Sequence, residues 1–458
     1  MTIDRTRLPI PGADRPFRFP RIARRSLPNG LELRAVRHRA VPIVSMVLLV
    51  PGGSSVDPPD CHGLVSMTAG LLDEGSKGQS ALDIADRVAR IGGELDIDVG
   101  MDAVVVSVTT LDRFFETGLG LIHEIVTAPN LANDDFNRIR NLRLERLKQM
   151  KDHAGAIAER AFARVLYDSH PYGHLSLGSE PALTSMTVDV TRALHAALFT
   201  PDGSTLVVVG DRAEDELLDI AATMFDSWRP TASPMTIDRA AALTPPPASP
   251  SAGLAVIARP GAAQSELRIG HACAPRSTPD YPTLLILNTI LGGEFVSRLN
   301  LNLRESKGYT YGVRTGFNLR RGIGPFVMQT SVGTDVTGPA IHEALNEIRA
   351  IADARPATPD EVRQAFASLS KGYPRGFETA GQVARSVAQL ALHNLADTYF
   401  EEFVPRLAQV TAADVGAAAR QYLPSDRMSV VIVGDLDKIH GALPGLGLGP
   451  HHVLTTEF

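Results

Sequence analysis

The sequence predicts an α+β protein of two homologous domains, each a mainly antiparallel β-sheet backed by α-helices. Three observations carry this. The chain repeats itself: Thr187-Val188-Asp189-Val190 precedes a helical stretch, Pro201, an apolar strand over 204–209 and Gly210-Asp211. Thr411-Ala412-Ala413-Asp414-Val415 likewise precedes a helical stretch, Pro424, a strand over 429–433 and Gly434-Asp435. The copies end as LVVVGD and VVIVGD, starting at 206 and 430, so an offset of 224 residues divides the chain into like halves. Between them, residues 229–251 hold six prolines, the composition of a semi-rigid linker. Within each half, strand-patterned runs give way to helix-patterned runs over short connections, which suits helices on one face of a sheet. The expected organisation is an extended arm over 1–20, a first domain over 21–228, the linker over 229–252 and a second domain over 253–458.

Bulk properties agree. A chain of 458 residues exceeds a single core, and 44% hydrophobic with 21% charged residues is ordinary for a soluble globular protein. A net charge of -6 suits neither nucleic acid nor an anionic membrane surface. The two cysteines, Cys61 and Cys273, make neither a disulfide framework nor a cysteine zinc site, and a reducing compartment follows. The first twenty residues lack the apolar core of a signal peptide, and the apolar run over 44–50 is too short to span a bilayer. The expected location is cytoplasmic, or periplasmic if a signal was removed before residue 1.

In chain order, 25–37 reads as a hairpin about the turn dipeptide Asn29-Gly30. An apolar strand over 41–50 ends at Pro51-Gly52-Gly53. A buried helix is expected over 63–72 and another over 80–91, stopped by Gly92-Gly93. Strands over 95–99 and 103–109 flank Gly100. Helices follow over 111–126 and 134–151. The second has Phe136, Ile139, Leu142, Leu147 and Met150 on one face. Arg138, Arg140, Arg143, Arg146, Lys148 and Lys151 form a basic face that suits either solvent or the wall of a substrate chamber. The second half opens with a strand over 253–258. An apolar segment over 281–291 runs to Gly292-Gly293, and Phe295, Leu299 and Leu303 at i, i+4, i+8 predict a helix over 294–304 that ends at Gly308.

After that helix comes Leu303-Arg304-Glu305-Ser306-Lys307-Gly308-Tyr309-Thr310-Tyr311-Gly312-Val313. An arginine closing a helix and a tyrosine opening the next strand can face one space. They offer a planar cationic fork and a phenol donor, groups suited to a peptide carbonyl or a developing oxyanion. On position alone, the same residues also suit a solvated arginine and a half-buried tyrosine. LRESKGYTYGV resembles the C-terminal-half motif of the pitrilysin and insulinase family of zinc peptidases, which includes the mitochondrial processing peptidase and its two-subunit bacterial relatives. The family's Arg and Tyr, seven residues apart, match Arg304 and Tyr311. The resemblance implies that they reach across a closed chamber to substrate held at zinc on another domain.

The family's zinc motif, H-x-x-E-H, lies on a first-half helix. Two imidazoles one helical turn apart and a distant Glu hold the metal, and the intervening Glu activates water. Here the equivalent helix is GLVSMTAGL over 63–71, with Ser66 and Gly70 at the two His positions and Ala69 at that of the base. Glu145 falls near the distance expected of the third ligand, but one carboxylate cannot hold catalytic zinc. His170-Pro171-Tyr172-Gly173-His174 resembles a structural turn of the family, and its Pro and Gly deny it a helical ligand face. His62 stands alone, and His451-His452 is expected to fray beside the C-terminus. No nucleophile elbow or phosphate-binding loop is present, and neither cysteine has cationic neighbours in sequence that would activate a thiolate.

The resemblance, which runs from about residue 25 to 439, implies the non-catalytic subunit of a heterodimeric zinc metalloendopeptidase, half of a four-domain clamshell. A homologous partner with intact H-x-x-E-H would hold the Zn²⁺, with none bound by this chain, and a peptide would be the substrate. Arg304 and Tyr311 would act in trans at the partner's zinc. The alternative is a catalytically inactive homodimer that binds or scaffolds peptides by sheet-edge addition.

Overall fold

The computed structural model describes residues 17–247 and 253–455. Most of the expected N-terminal arm and residues 248–252 of the linker lie outside the described residues.

In the first half the strands are β1 (Ile22–Ser26), β2 (Glu32–Arg37), β3 (Ile43–Pro51), a short hairpin of β4 (Gly75–Ser76) and β5 (Gln79–Ser80), then β6 (Glu94–Val99), β7 (Ala103–Leu111) and β8 (Thr205–Gly210). Its helices are α1 (Leu64–Ala69), α2 (Ala81–Arg90), α3 (Phe115–Thr127), α4 (Asn133–Lys151), α5 (Ala154–Tyr167), α6 (Glu180–Ser185), α7 (Val188–Leu198) and α8 (Glu214–Phe225). The second half holds β9 (Leu254–Ala258), β10 (Gln264–Ala274), β11 (Val313–Phe317), β12 (Gly324–Gly333), β13 (Ser429–Gly434) and β14 (His451–Val453). With them come α9 (Tyr281–Asn288), α10 (Thr337–Ala352), α11 (Pro359–Gly372), α12 (Ala380–Leu392), α13 (Tyr399–Ala408), α14 (Ala412–Tyr422) and α15 (Leu436–Ile439). Local chemistry sets several starts. Ser80, Thr358, Thr379 and Thr411 each cap a helix in a reciprocal capping box.

The repeat seen in the sequence is a repeat of topology. One sheet runs β1-β2-β8-β3-β7-β6 and the other β14-β9-β13-β10-β12-β11. In each, the strand of the repeated motif pairs parallel with the first strand of the matching set, β8 with β2 and β13 with β9. Its other neighbour is antiparallel, β3 or β10. The outermost strands differ. β1 is antiparallel to β2, whereas β14 is parallel to β9. His451 and His452 therefore sit in an ordered edge strand rather than fraying, because the free edge of β9 supplies backbone partners for them.

Helices cover both faces of each sheet, not one. The side chains of β8 alternate: Leu206 and Val208 face the core shared with α1, α3 and α8, while Val207 and Val209 meet Val383, Ala384, Val387 and Ala388 of α12 from the other half. On the second sheet, Val430 and Ile432 face their own half's helices, and Val431 and Val433 meet Ile157, Ala158, Ala161 and Phe162 of α5. The halves thus exchange a helix. Each Val or Leu fully buried in this way contributes on the order of 1.5–3 kcal/mol. Two-sided burial also explains why LVVVG and VVIVG are unbroken apolar runs rather than alternating ones.

Polar bonds lock the seam between halves. The Tyr172 hydroxyl donates to Asp102 Oδ1 at 2.5 Å and accepts from the Gly322 amide at 3.1 Å, and the Arg321 amide donates to Asp102 Oδ2 at 2.8 Å. Tyr167 donates to the Ile323 carbonyl at 3.0 Å. His170 Nε2 bonds the Thr244 carbonyl at 3.0 Å, so the same turn grips the linker. Phe19, near the end of the expected arm, packs on Phe377 and Phe400.

Candidate functional site

The site positions fall in two places, one in each half. In the first half, α1 begins at the buried carboxylate of Asp57, which accepts from the Gly63 and Val65 amides at 2.7 Å each. A negative group here suits the exposed amides of a helix start. His174 Nε2 donates to the same carboxylate at 3.1 Å, and the His62 ring stacks on His174 at 4.0 Å and 4°. Burial, then the neighbouring His174, pushes the His62 pKa down to about 4, so it is neutral at pH 7.

Ser66, Ala69 and Gly70 occupy the body and end of α1. Ala69 is buried, and Ser66 and Gly70 are half-buried. The group that meets them from α4 is Arg143. Its Nη1 donates to Ser66 Oγ at 2.8 Å and its Nη2 to the Ser66 carbonyl at 2.5 Å. A Cβ at Gly70 would stand 3.1 Å from Nη2, so the missing side chain makes room for the guanidinium. Burial lowers the Arg143 pKa to about 10, which leaves it charged at neutral pH.

Glu145 is not brought to this place. It points to solvent, 64% exposed, and pairs with Lys148 at 2.7 Å. Two residues on from Arg143 is about 200° around a helix of 3.6 residues per turn. Hydroxyl, methyl and hydrogen at 66, 69 and 70, facing a fixed cation, do not fit a zinc ion. Among the described residues, no three His, Cys, Asp or Glu side chains are grouped to hold a metal.

The basic face of α4 is solvated at Arg146 and Lys148 and engaged with neighbouring groups along the rest of its length. Arg138 pairs with Glu74 and Asp135, Lys151 with Glu180, Arg140 lies over the Phe136 ring and Arg143 is half-buried against α1. A signal for Arg143 was present. Phe136, Arg140, Arg143 and Leu147 follow i, i+4, i+7, i+11, and the two ends of that row are buried. Leu142, expected on the apolar face, is 58% exposed instead.

In the second half the expected helix over 294–304 starts late. Residues 294–297 form bends after Gly292-Gly293, which leaves Phe295 72% exposed instead of in the core. A wide helical turn over Asn300–Ser306 follows. Gly308 ends it at φ +64, with the Tyr309 amide returning to the Leu303 carbonyl at 2.8 Å. Asn300 pins this turn to β11, as its side chain donates to the Val313 carbonyl and accepts from the Val313 amide, both at 2.9 Å. Thr310 bonds Thr330 at 2.8 Å. The backbone on both sides of residue 311 is therefore held.

On that held backbone the Tyr311 side chain is 99% exposed. Arg304 is folded down. Its guanidinium lies 3.3 Å over the Phe295 ring and bonds Glu305 from Nε at 2.9 Å and Nη2 at 2.5 Å. No hydrogen bond among the described residues joins Arg304 to Tyr311. A cleft of about 1110 Å³ opens elsewhere, between His62 and Arg160 of the first half and Ile257 and Leu454 of the second, and it includes none of the expected site residues. Both cysteines are free, and burial pushes their thiols up, Cys61 to about 11 and Cys273 to about 12, so neither is a thiolate at neutral pH.

Known proteins resemble the whole arrangement. A family model described as insulinase, peptidase family M16, matches residues 35–178, and one described as peptidase M16 inactive domain matches residues 185–369. An uncharacterized zinc protease of Mycobacterium leprae is 24% identical over 421 residues, 90% of this chain and 92% of its own length. A solved structure of a peptidase M16 inactive domain from Pseudomonas fluorescens has a TM-score of 0.83 at 26% identity, covering 90% of this chain and 98% of that one. A protease from Helicobacter pylori shares the fold with a TM-score of 0.83 at 18% identity, over 91% and 100% of the two chains. Two models of one family in sequence order, the fold they imply, and a motif helix without its histidines and glutamate make this chain a member of the M16 insulinase family with no H-x-x-E-H of its own.

Proposed function

We propose that the chain is the non-catalytic subunit of a two-chain zinc peptidase. A homologous partner with an intact H-x-x-E-H holds the metal and the base, and this chain brings Arg304 and Tyr311 to the peptide. The observation that carries the reading is the contrast within the chain. The zinc-helix positions are Ser66, Ala69 and Gly70, yet Tyr311 stands fully exposed on a backbone fixed by Asn300 and Thr310. A rigidly based phenol donates to an oxyanion without reorganisation. Arg304 leaves Phe295 and Glu305 to hold a neighbouring substrate carbonyl, exchanging one set of contacts for another. No described helix is long and apolar enough to cross a membrane. Two free thiols support a reducing compartment, and we place the assembly in the cytoplasm.

The test is co-purification from the native source, followed by zinc analysis of each separated chain and peptide hydrolysis by each alone and together. Zinc in a homologous partner and hydrolysis only by the pair is expected. Hydrolysis by this chain alone with tightly held zinc rejects the reading. A stable homodimer without activity or partner supports the scaffold instead.

A further inference from the structure

We propose that the Arg143 guanidinium stands in the metal's place, and that this cation, not the lost ligands alone, bars a metal ion from the chain. The inference concerns this chain's own residues and holds whether or not a partner exists.

Arg143 reaches from α4 and touches both positions where imidazoles would stand. It makes two hydrogen bonds to Ser66, and its Nη2 fills the space in front of Gly70. It thereby does two things that a metal held between α1 and α4 would do. It ties the helices together, and it sets positive charge beside the C-terminal part of α1, where carbonyl dipoles favour a cation. Its charge is permanent, and it offers no lone pair to a metal. A Cβ at 70 would stand 3.1 Å from Nη2, tighter than an ordinary contact, so an imidazole there crowds Arg143 in its observed position. A divalent ion at contact distance from the guanidinium is repelled as well. Restoring ligands to α1 therefore does not restore a site while Arg143 remains.

The experiment compares two full-length variants, S66H/A69E/G70H and S66H/A69E/G70H/R143E, incubated with zinc, freed of excess and analysed for bound metal. The first is expected to retain almost none. The second has two imidazoles and a carboxylate, and is expected to retain about one equivalent. Its thermal midpoint is expected to rise with zinc and fall with chelator. One equivalent bound with Arg143 in place overturns the proposal, as does equal failure of both variants when circular dichroism shows both folded. If the fourfold variant does not fold, S66H/G70H with and without R143A carries the test with nickel. The member retaining Arg143 must then bind at least about tenfold more weakly, and equal affinities overturn the proposal.

Discussion

The two halves share a sheet topology but use the segment between the second and third strands of the repeat, β3 to β6 and β10 to β11, in opposite ways. In the first half that segment opens with α1, and Arg143 closes the place where ligands would stand. In the second it passes through α9 and the turn at Asn300–Ser306 and delivers Tyr311 into solvent on a held backbone. One copy has filled its site from inside, and the other keeps a polar group facing out. The comparison teaches that a duplicated fold preserves sheet order while its inter-strand segments diverge, because the central strands β8 and β13 are buried on both faces and tolerate little change.

The sharpest way to break this contrast is Tyr311→Phe. In the reconstituted two-chain peptidase, turnover should fall by a factor of about 10²–10³. The thermal midpoint of the isolated chain should not move, since the ring is 99% exposed. Unchanged turnover removes Tyr311 from the mechanism.

Next in size is Tyr172→Phe at the seam. It removes a hydroxyl bonded to Asp102 and to the Gly322 amide, and leaves a buried carboxylate short of a donor. Denaturant unfolding should show a loss of about 1–3 kcal/mol. No loss would mean that the Tyr172 hydroxyl does not hold the seam.

Phe295→Ala withdraws the ring beneath Arg304 and should cost about 0.5–1 kcal/mol of stability. If Arg304 must leave that ring to meet substrate, the variant complex should also show a lower KM. An unchanged or higher KM would argue against the swing.

A further contrast separates the halves by pH. The His62 pKa in the fold, about 4, lies below the ordinary 6.5, chiefly through burial. Its contribution to stability is complete above 6.5 and is lost as pH falls toward 4. The bidentate bond from Arg298 holds Glu361 down to about 2, below the ordinary 4.5. That contribution is present above 4.5 and is lost as pH falls toward 2. Stability measured against pH should flatten between 6.5 and 4 in His62→Phe, and between 4.5 and 2 in Arg298→Ala. Identical profiles in both variants would show that neither group titrates as its surroundings imply.

The sequence by itself determined the elements and their repetition. LVVVGD and VVIVGD, the Asn29-Gly30 turn, the capping threonine Thr411 and the stop at Gly308 are local signals, each set by backbone propensity and short-range hydrogen bonding. It also determined that positions 66, 69 and 70 offer no metal ligand, since that is a matter of residue identity. Only the tertiary structure decided that α5 and α12 cross to the opposite sheet, that the unbroken apolar runs are buried on both sides, and that Arg143 rather than Glu145 meets α1. It also decided that Arg304 lies on Phe295 and that His451 and His452 join a sheet. Each of these is a contact between residues far apart in sequence, set by which unsatisfied face or edge is nearest once the chain has collapsed. Residue patterns along the chain carry the period of a helix or strand, but not the identity of the surface that will cover it.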